Sequence, residues 1–165
     1  MRLIDRCKIQ TLSELLYSIE EHRRQNHTIV MTNGCFDLLH IGHISSLKAA
    51  SKLGDVLVVA LNSDYSIKRL KGDNRPIFNQ QDRSEILAAL GYVDYIVVFD
   101  EPTPSSVIYC VRPDVLVKGK DWEGKSVTGK DLIESYGGKV VFLDMVCGIS
   151  TTDIINRICK EFKVE

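Results

Sequence analysis

The chain has 165 residues, 44% hydrophobic and 26% charged, a composition that fits one soluble folded domain with a sizeable core. Lysine plus arginine total 21 and aspartate plus glutamate total 22, so the net charge is −1, which excludes bulk electrostatic binding to nucleic acid. No stretch approaches a membrane span, and the N-terminal MRLIDRCKIQ lacks the apolar run of a signal peptide, so no membrane partner is expected. Cys7, Cys35, Cys110, Cys147 and Cys159 are odd in number and form no C-x-x-C pair, which points to a reducing, cytoplasmic location.

In chain order, Thr11 to Gln25 places Leu12, Leu15, Leu16 and Ile19 on one face, and Thr11 with Glu14 has the form of a capping box, so a helix is predicted. HTIVMT is the first strand. GHISSLKAASKLG follows as a helix stopped by Gly54. DVLVVAL, apolar on both faces, is a buried parallel strand. Ser63 caps a short helix through DYSIKRL. The polar loop KGDNRPIFN, carrying Lys71, Gly72 and Arg75, leads to a helix from Gln80 to Leu90, with Asn79 as cap and Gly91 as stop. DYIVVF is the third strand, and Thr103 and Pro104 read as the cap and first position of the next helix. DVLVK is the fourth strand and GKDWEGKSVTG a loop. Lys130 to Tyr136 is helical, with Gly137 and Gly138 after it. KVVFLD is the fifth strand, and a last helix starts at about Thr152.

Strands alternating with helices predict an α/β fold. It is a doubly wound, Rossmann-like parallel sheet of five strands in order 3-2-1-4-5, with helices on both faces. Such sheets bind ligands beyond the carboxyl ends of their strands. Those ends carry Thr32-Asn33-Gly34, Asn62-Ser63-Asp64, Lys118-Gly119 and the loop before Ser150. Residues 1–26 read as a helical extension and 27–165 as the main domain, compact together.

The stretch TNGCFDLLHIGH, Thr32 to His43, concentrates the chemistry. Gly34 permits a close approach of a ligand or an unusual backbone. His40 and His43 share one face at a helix start, where free N–H groups favour anions, and Gly42 leaves the backbone open between them. Two imidazoles there suit phosphate oxygens and can donate where charge builds on a leaving group. Cys35, Asp37, His40 and His43 could also ligate a metal, but their spacing is not that of a common zinc motif, and no metal site is expected. Cys35 is either buried packing or a nucleophile with no identifiable base. Asp37 reads as a holder of its loop's backbone rather than a base. Arg83 is a helix-surface arginine or, as a cation in a first turn, the partner of an anion. One of Ser150, Thr151 and Thr152 caps the last helix, and three hydroxyls there suggest an anion site. Trp122 is either packing or a wall of an acceptor pocket. His22 and His27 read as surface residues.

Gly34-x-Phe36-Asp37 followed by His40-x-Gly42-His43 resembles the signature of the nucleotidyltransferase superfamily, which includes cytidylyltransferases and small adenylyltransferases. The resemblance runs from Met31 to about Ile158. Leu70-Lys71-Gly72-x-x-Arg75-Pro76 is similar to the D-glycero-β-D-manno-heptose 1-phosphate adenylyltransferases, as are QQDRSEILAAL, LVKGKDW and STTDIINRI. These enzymes usually read K-G-G-D where this chain has Lys118-Gly119-Lys120-Asp121. DWEGK and GISTTD look more like glycerol-3-phosphate cytidylyltransferases, the alternative, but those lack the segment around Lys71.

The resemblance implies transfer of AMP from ATP, which carries Mg²⁺, to a sugar 1-phosphate. The partners are ATP and the sugar phosphate, a homodimer is compatible with the family, and a separate kinase would supply the phosphate. It implies His40, His43 and Lys71 as catalytic residues. It places Thr32, Asn33, Gly34, Cys35, Phe36, Asp37 and Gly42 around the nucleotide, with Arg83, Lys118, Gly119, Asp121 and Ile149 to Thr152. Asn62, Asp64 and Trp122 fall on the acceptor side.

Overall fold

The computed structural model describes residues 8–144 and 149–162. Cys7, Cys147 and residues 145–148 of the loop before Ser150 lie outside them. The most apolar runs of the sequence become strands β1 (Ile29–Gly34), β2 (Val56–Asn62), β3 (Tyr95–Phe99), β4 (Val115–Gly119) and β5 (Lys139–Leu143). They pair in parallel in the order β3-β2-β1-β4-β5, as the alternation of elements predicts. β1 is central, with Val30 beside Leu57 on one edge and Val115 on the other. The strand order reverses between β1 and β4, so a crevice opens beyond their carboxyl ends.

The period-2 alternation of strand side chains divides the core into two layers. Ile29, Met31, Val58, Ala60 and Leu116 face one way, against Leu15 and Ile19 of α1 (Leu12–Arg24), Val107, Ile108 and Val111 of α5 (Ser105–Val111) and Ile133 of α6 (Lys130–Ser135). Val30, Leu57, Val59, Leu61 and Val117 face the other way. They meet Leu47 and Ala50 of α2 (Ile41–Ala50) and Leu87 and Ala88 of α4 (Gln80–Ala88). The remaining helices are α3 (Asp64–Lys71) and α7 (Thr151–Phe162), and a 3₁₀ turn at Lys120–Trp122 interrupts the loop after β4. Ile9 forms a parallel bridge to Ile96, which covers part of the β3 edge.

Helix starts follow local chemistry. Thr11 and Glu14 form the expected capping box of α1, Ser63 accepts the Ser66 amide, and Asn79 accepts the Asp82 amide. Helix ends depart from expectation. α2 stops at Ala50, with Ser51 as its cap, so Gly54 is not the stop. A Cβ on Gly54 would lie 2.7 Å from the Thr28 carbonyl oxygen, so glycine is required there for close backbone approach. α4 ends at Ala88 rather than Leu90, and Gly91 lies beyond it in open space. α5 begins at Ser105, and Pro104 occupies the cap without a side-chain hydrogen bond. His22 and His27 are half-buried rather than free on the surface. Their Nδ1 atoms are 2.9 Å apart, and His22 Nε2 lies 2.9 Å from the Tyr95 hydroxyl.

Candidate active site

α2 starts at the crevice with an unusual cap. His40 takes the N-cap position with an extended backbone, φ −134° and ψ 173°. The Gly42 amide donates to His40 Nδ1 at 3.1 Å, and the His40 amide donates to His43 Nδ1 at 3.3 Å. This is the reciprocal arrangement of a capping box, made by two imidazoles. A neutral imidazole carries one N–H, so with Nδ1 accepting, the proton sits on Nε2. The rings stack with centroids 3.9 Å apart, and Phe36 packs 5.4 Å from His43. Burial, then His40 and Lys71, push the His43 pKa down to about 4, and burial lowers that of His40. His43 is therefore a neutral N–H donor at pH 7. A Cβ on Gly42 would lie 2.9 Å from His40 Cε1, so only glycine lets that ring fold back over the first turn.

Asp37 holds the surrounding segments together. Phe36 and Leu38 on either side of it both have φ of 46°, a left-handed conformation that is strained for these side chains. The turn aims the Asp37 carboxylate inward, where it is 1% exposed. It accepts the amides of Ile77 at 3.0 Å and Phe78 at 3.1 Å, and it pairs with Arg75 Nε at 2.8 Å. Burial opposes its charge, but the two amides and Arg75 outweigh burial and hold its pKa below the usual carboxylate range. The Asp37 carbonyl accepts from Thr151 Oγ1 at 2.7 Å. One residue thus joins the β1–α2 turn, the loop after α3 and the start of α7.

Lys71 is the last residue of α3, and Gly72 with φ of +91° turns the chain away after it. The Lys71 ammonium is exposed, yet near enough to help lower the His43 pKa. On the other side, Lys118 of β4 is nearly buried and donates to Asn33 Oδ1, with its Nζ 5.3 Å from the centroid of the Trp122 ring. Burial lowers the Lys118 pKa to about 8, against the pull of Asp121. Thr32 Oγ1 donates to the Val117 carbonyl at 3.2 Å and braces β1 against β4.

Residues 31–157 match the family model described as cytidylyltransferase-like. The chain belongs to the cytidylyltransferase-like family. It is 54% identical over 156 residues to the bifunctional protein HldE of Syntrophotalea carbinolica, covering 94% of this chain and 32% of that protein. Against the bifunctional protein HldE of Geobacter metallireducens the identity is 49% over 159 residues, 96% of this chain and 32% of that one. The chain thus spans about a third of the length of these curated relatives. Among solved structures, the lipopolysaccharide core biosynthesis protein from Thermoplasma volcanium GSS1 is 32% identical, with a TM-score of 0.60 over 73% of this chain and 97% of that one. Pantoate-beta-alanine ligase from Francisella tularensis shares the fold, with a TM-score of 0.63 over 95% of this chain and 79% of that one at 17% identity.

Within this cytidylyltransferase-like frame the expected site residues divide into two groups. His40, Gly42, His43, Lys71 and the end of β1 converge at the crevice, with Lys118 and Trp122 on the β4 side. Ser150 caps α7 by accepting the Asp153 amide, Thr151 bonds Asp37, and the Thr152 side chain is exposed. Ile149 Cγ2 would lie 3.7 Å from a Cβ on Gly42, which brings the start of α7 to the histidine turn.

Four expected residues are committed inward instead: Asp37, whose carboxylate is taken up by Ile77, Phe78 and Arg75, and then Arg83, Asp64 and Asn62. Arg83 is 1% exposed, neither a surface arginine nor a free phosphate ligand. It donates to the carbonyls of Cys35, Asn62 and Phe78 and to Asp64 Oδ1 at 2.7–3.0 Å. The anion expected for this cation is therefore Asp64 of the same chain, and Asp64 is not a free acceptor-side group. Asn62 is buried, its amide donating to Ser66 Oγ at 2.9 Å.

Neither alternative for the turn fits this geometry. The Asp37 carboxylate and both histidine Nδ1 atoms are already hydrogen-bonded, and among the described residues no group of three His, Cys, Asp or Glu could hold a metal ion. Burial raises the Cys35 pKa despite Lys71, Arg83 and Arg75 nearby, which works against a thiolate nucleophile. Asp37 does hold backbone, but that of residues 77 and 78 rather than its own loop. The residue that sequence reasoning passed over is Arg75. Its signal was a basic residue four places after Lys71.

Proposed function

We propose that this chain transfers AMP from ATP to a sugar 1-phosphate, D-glycero-β-D-manno-heptose 1-phosphate, giving ADP-heptose and pyrophosphate. The observation that carries the reading is the double-histidine cap, which fixes two Nε2–H donors beyond the carboxyl end of β1. A sugar phosphate oxygen attacks the α-phosphorus in line. The bond from that phosphorus to the β-bridging oxygen breaks, and pyrophosphate leaves with the electron pair. The attacking oxygen is ionised at neutral pH, so no strong base is needed, and positioning and charge stabilisation supply the catalysis. His40 and His43 donate to the oxygens on which charge builds, and Lys71 meets the phosphates from the rim. Thr32 to Gly34, Cys35, Phe36 and Gly42 shape the floor, Lys118, Gly119 and Asp121 border the nucleotide, and Ile149 to Thr152 hold the triphosphate. Trp122 walls the acceptor.

Mg²⁺ would enter with the nucleotide as part of the substrate. Asp37 and Asp64 are already paired with Arg75 and Arg83. We assign the transferring unit to residues 27–165 and treat 1–26 as an extension that lends Leu15 and Ile19 to the core. Free Cys35, Cys110 and Cys159 support a reducing, cytoplasmic setting. Heptose 1-phosphate is chosen over glycerol 3-phosphate because Arg75, from the segment that glycerol-3-phosphate cytidylyltransferases lack, is built into the turn through Asp37. Pyrophosphate release measured with four nucleoside triphosphates and a panel of sugar and polyol phosphates tests this. ATP with heptose 1-phosphate should be the fastest pair, and efficient CDP-glycerol formation would overturn the assignment.

A further inference from the structure

Arg75 is paired on one side only. Its Nε donates to Asp37 Oδ2 at 2.8 Å, while its Nη2 is buried and finds no acceptor among the described residues. The side chain is 12% exposed, so little bulk solvent reaches it. A buried cationic donor left without a partner is unfavourable unless a ligand supplies one. Arg75 also stands among charges that favour an anion. It helps oppose the rise of the Cys35 pKa together with Lys71 and Arg83, which places these cations around the same thiol. Of the two arginines, Arg83 is consumed by internal acceptors on three segments and Arg75 is not. The Arg75 amide donates to the Gly72 carbonyl at 3.2 Å, a turn that ties it to the loop directly after Lys71.

We propose that Arg75 is a phosphate ligand of this site, its Nη2 edge taking a substrate phosphate oxygen while Asp37 fixes the guanidinium through Nε. Asp37 supplies the orientation, and the planar fork lets one face hold the protein while the other takes the oxygen. The inference rests on the nucleotidyl-transfer reading, and it is tested without turnover. Calorimetry with inorganic tripolyphosphate, ATP and heptose 1-phosphate, each titrated alone, compares wild type, Arg75→Gln, Arg75→Lys and Asp37→Asn, each checked for folding by thermal unfolding.

Arg75→Gln should weaken at least one anion tenfold or more, and Arg75→Lys, which keeps the charge, should weaken it less. Asp37→Asn breaks the same latch from the other side but leaves the cation, so its loss should be at least several-fold smaller than that of Arg75→Gln. Equal losses in Arg75→Gln and Asp37→Asn would reduce Arg75 to a loop anchor and overturn the proposal. So would unchanged binding of tripolyphosphate, ATP and heptose 1-phosphate in a folded Arg75→Gln protein. If that variant fails to fold, Arg75→Lys decides, and no loss of affinity for any of the three ligands overturns it. The source of the oxygen follows from which ligand weakens, ATP and tripolyphosphate or heptose 1-phosphate titrated alone. Wild-type protein that binds tripolyphosphate but releases no pyrophosphate with any substrate pair would sink the proposed reaction while leaving Arg75 to be judged by binding.

Discussion

Two substitutions at His43 separate its cap from its donor. An asparagine amide reaches about as far as Nδ1, whereas a glutamine amide reaches about as far as Nε2. His43→Asn therefore keeps an acceptor for the His40 amide but has nothing where Nε2–H stood. His43→Gln offers a donor there and vacates the cap. Losing a preorganised transition-state donor costs about 10²–10³ in turnover. Losing a side-chain cap costs about 1 kcal/mol, and the 3.3 Å length of the His40–His43 bond puts this one toward the lower end. Single-turnover pyrophosphate release at saturating ATP measures the first effect and urea unfolding the second. His43→Asn should lie within about 1 kcal/mol of wild type and react on the order of 10²-fold more slowly. His43→Gln should be the less stable variant and the faster enzyme. Wild-type turnover in the Asn variant, or a Gln variant slower than it, would refute Nε2–H as the working donor.

Lys71→Ala should cut single-turnover rate by on the order of 10²-fold while leaving ATP affinity within about tenfold by calorimetry, because its contact is made mainly in the transition state; unchanged chemistry would remove it from the catalytic set. Arg83→Met leaves the Asp64 carboxylate and three carbonyls without their donor and should destabilise the fold by about 3–5 kcal/mol in urea; a loss under about 1 kcal/mol would show that water fills the site. The His43 pKa, about 4 in the folded protein against 6.5 ordinarily, means that the unfolded chain binds more protons between those values. Its contribution is complete above about pH 6.5 and fades as the pH falls toward 4, by about 2 kcal/mol once partial exposure is allowed for. Between pH 6.5 and 4 the unfolding free energy of wild type should fall by about 2 kcal/mol relative to that of His43→Asn, which has no imidazole to titrate, and parallel curves would contradict the shift.

Signals confined to one turn of chain were readable in the sequence. Thr11 with Glu14, Ser63 and Asn79 each cap a helix through partners three residues on, so spacing alone identifies them. The strand order followed from alternating apolar runs and right-handed crossovers. Glycines misled because they record freedom without saying what uses it. Gly54 was read as a helix stop, yet what demands it is Thr28, 26 positions earlier in the numbering. Arg83 and Asp37 were hidden for a related reason. Arg83 meets Asp64 across 19 residues and Cys35 across 48, and Asp37 meets Arg75 across 38. Such partners exist only once the sheet has brought strand ends together. That His40 and His43 meet at a helix start was legible, but their protonation state was not, because that depends on which ring nitrogen faces the backbone.

Thr151 reaches Asp37 across 114 residues, and α7 itself buries no residue fully. The sheet can therefore assemble before its last helix docks. The rim of the crevice belongs to an element with no fully buried residue, and elements with little apolar anchorage open locally at a small fraction of the global free energy. A triphosphate seated against residues 149–152 would itself draw α7 home. Measured affinity would then include a helix-docking equilibrium, and on warming it would fade before the sheet melts.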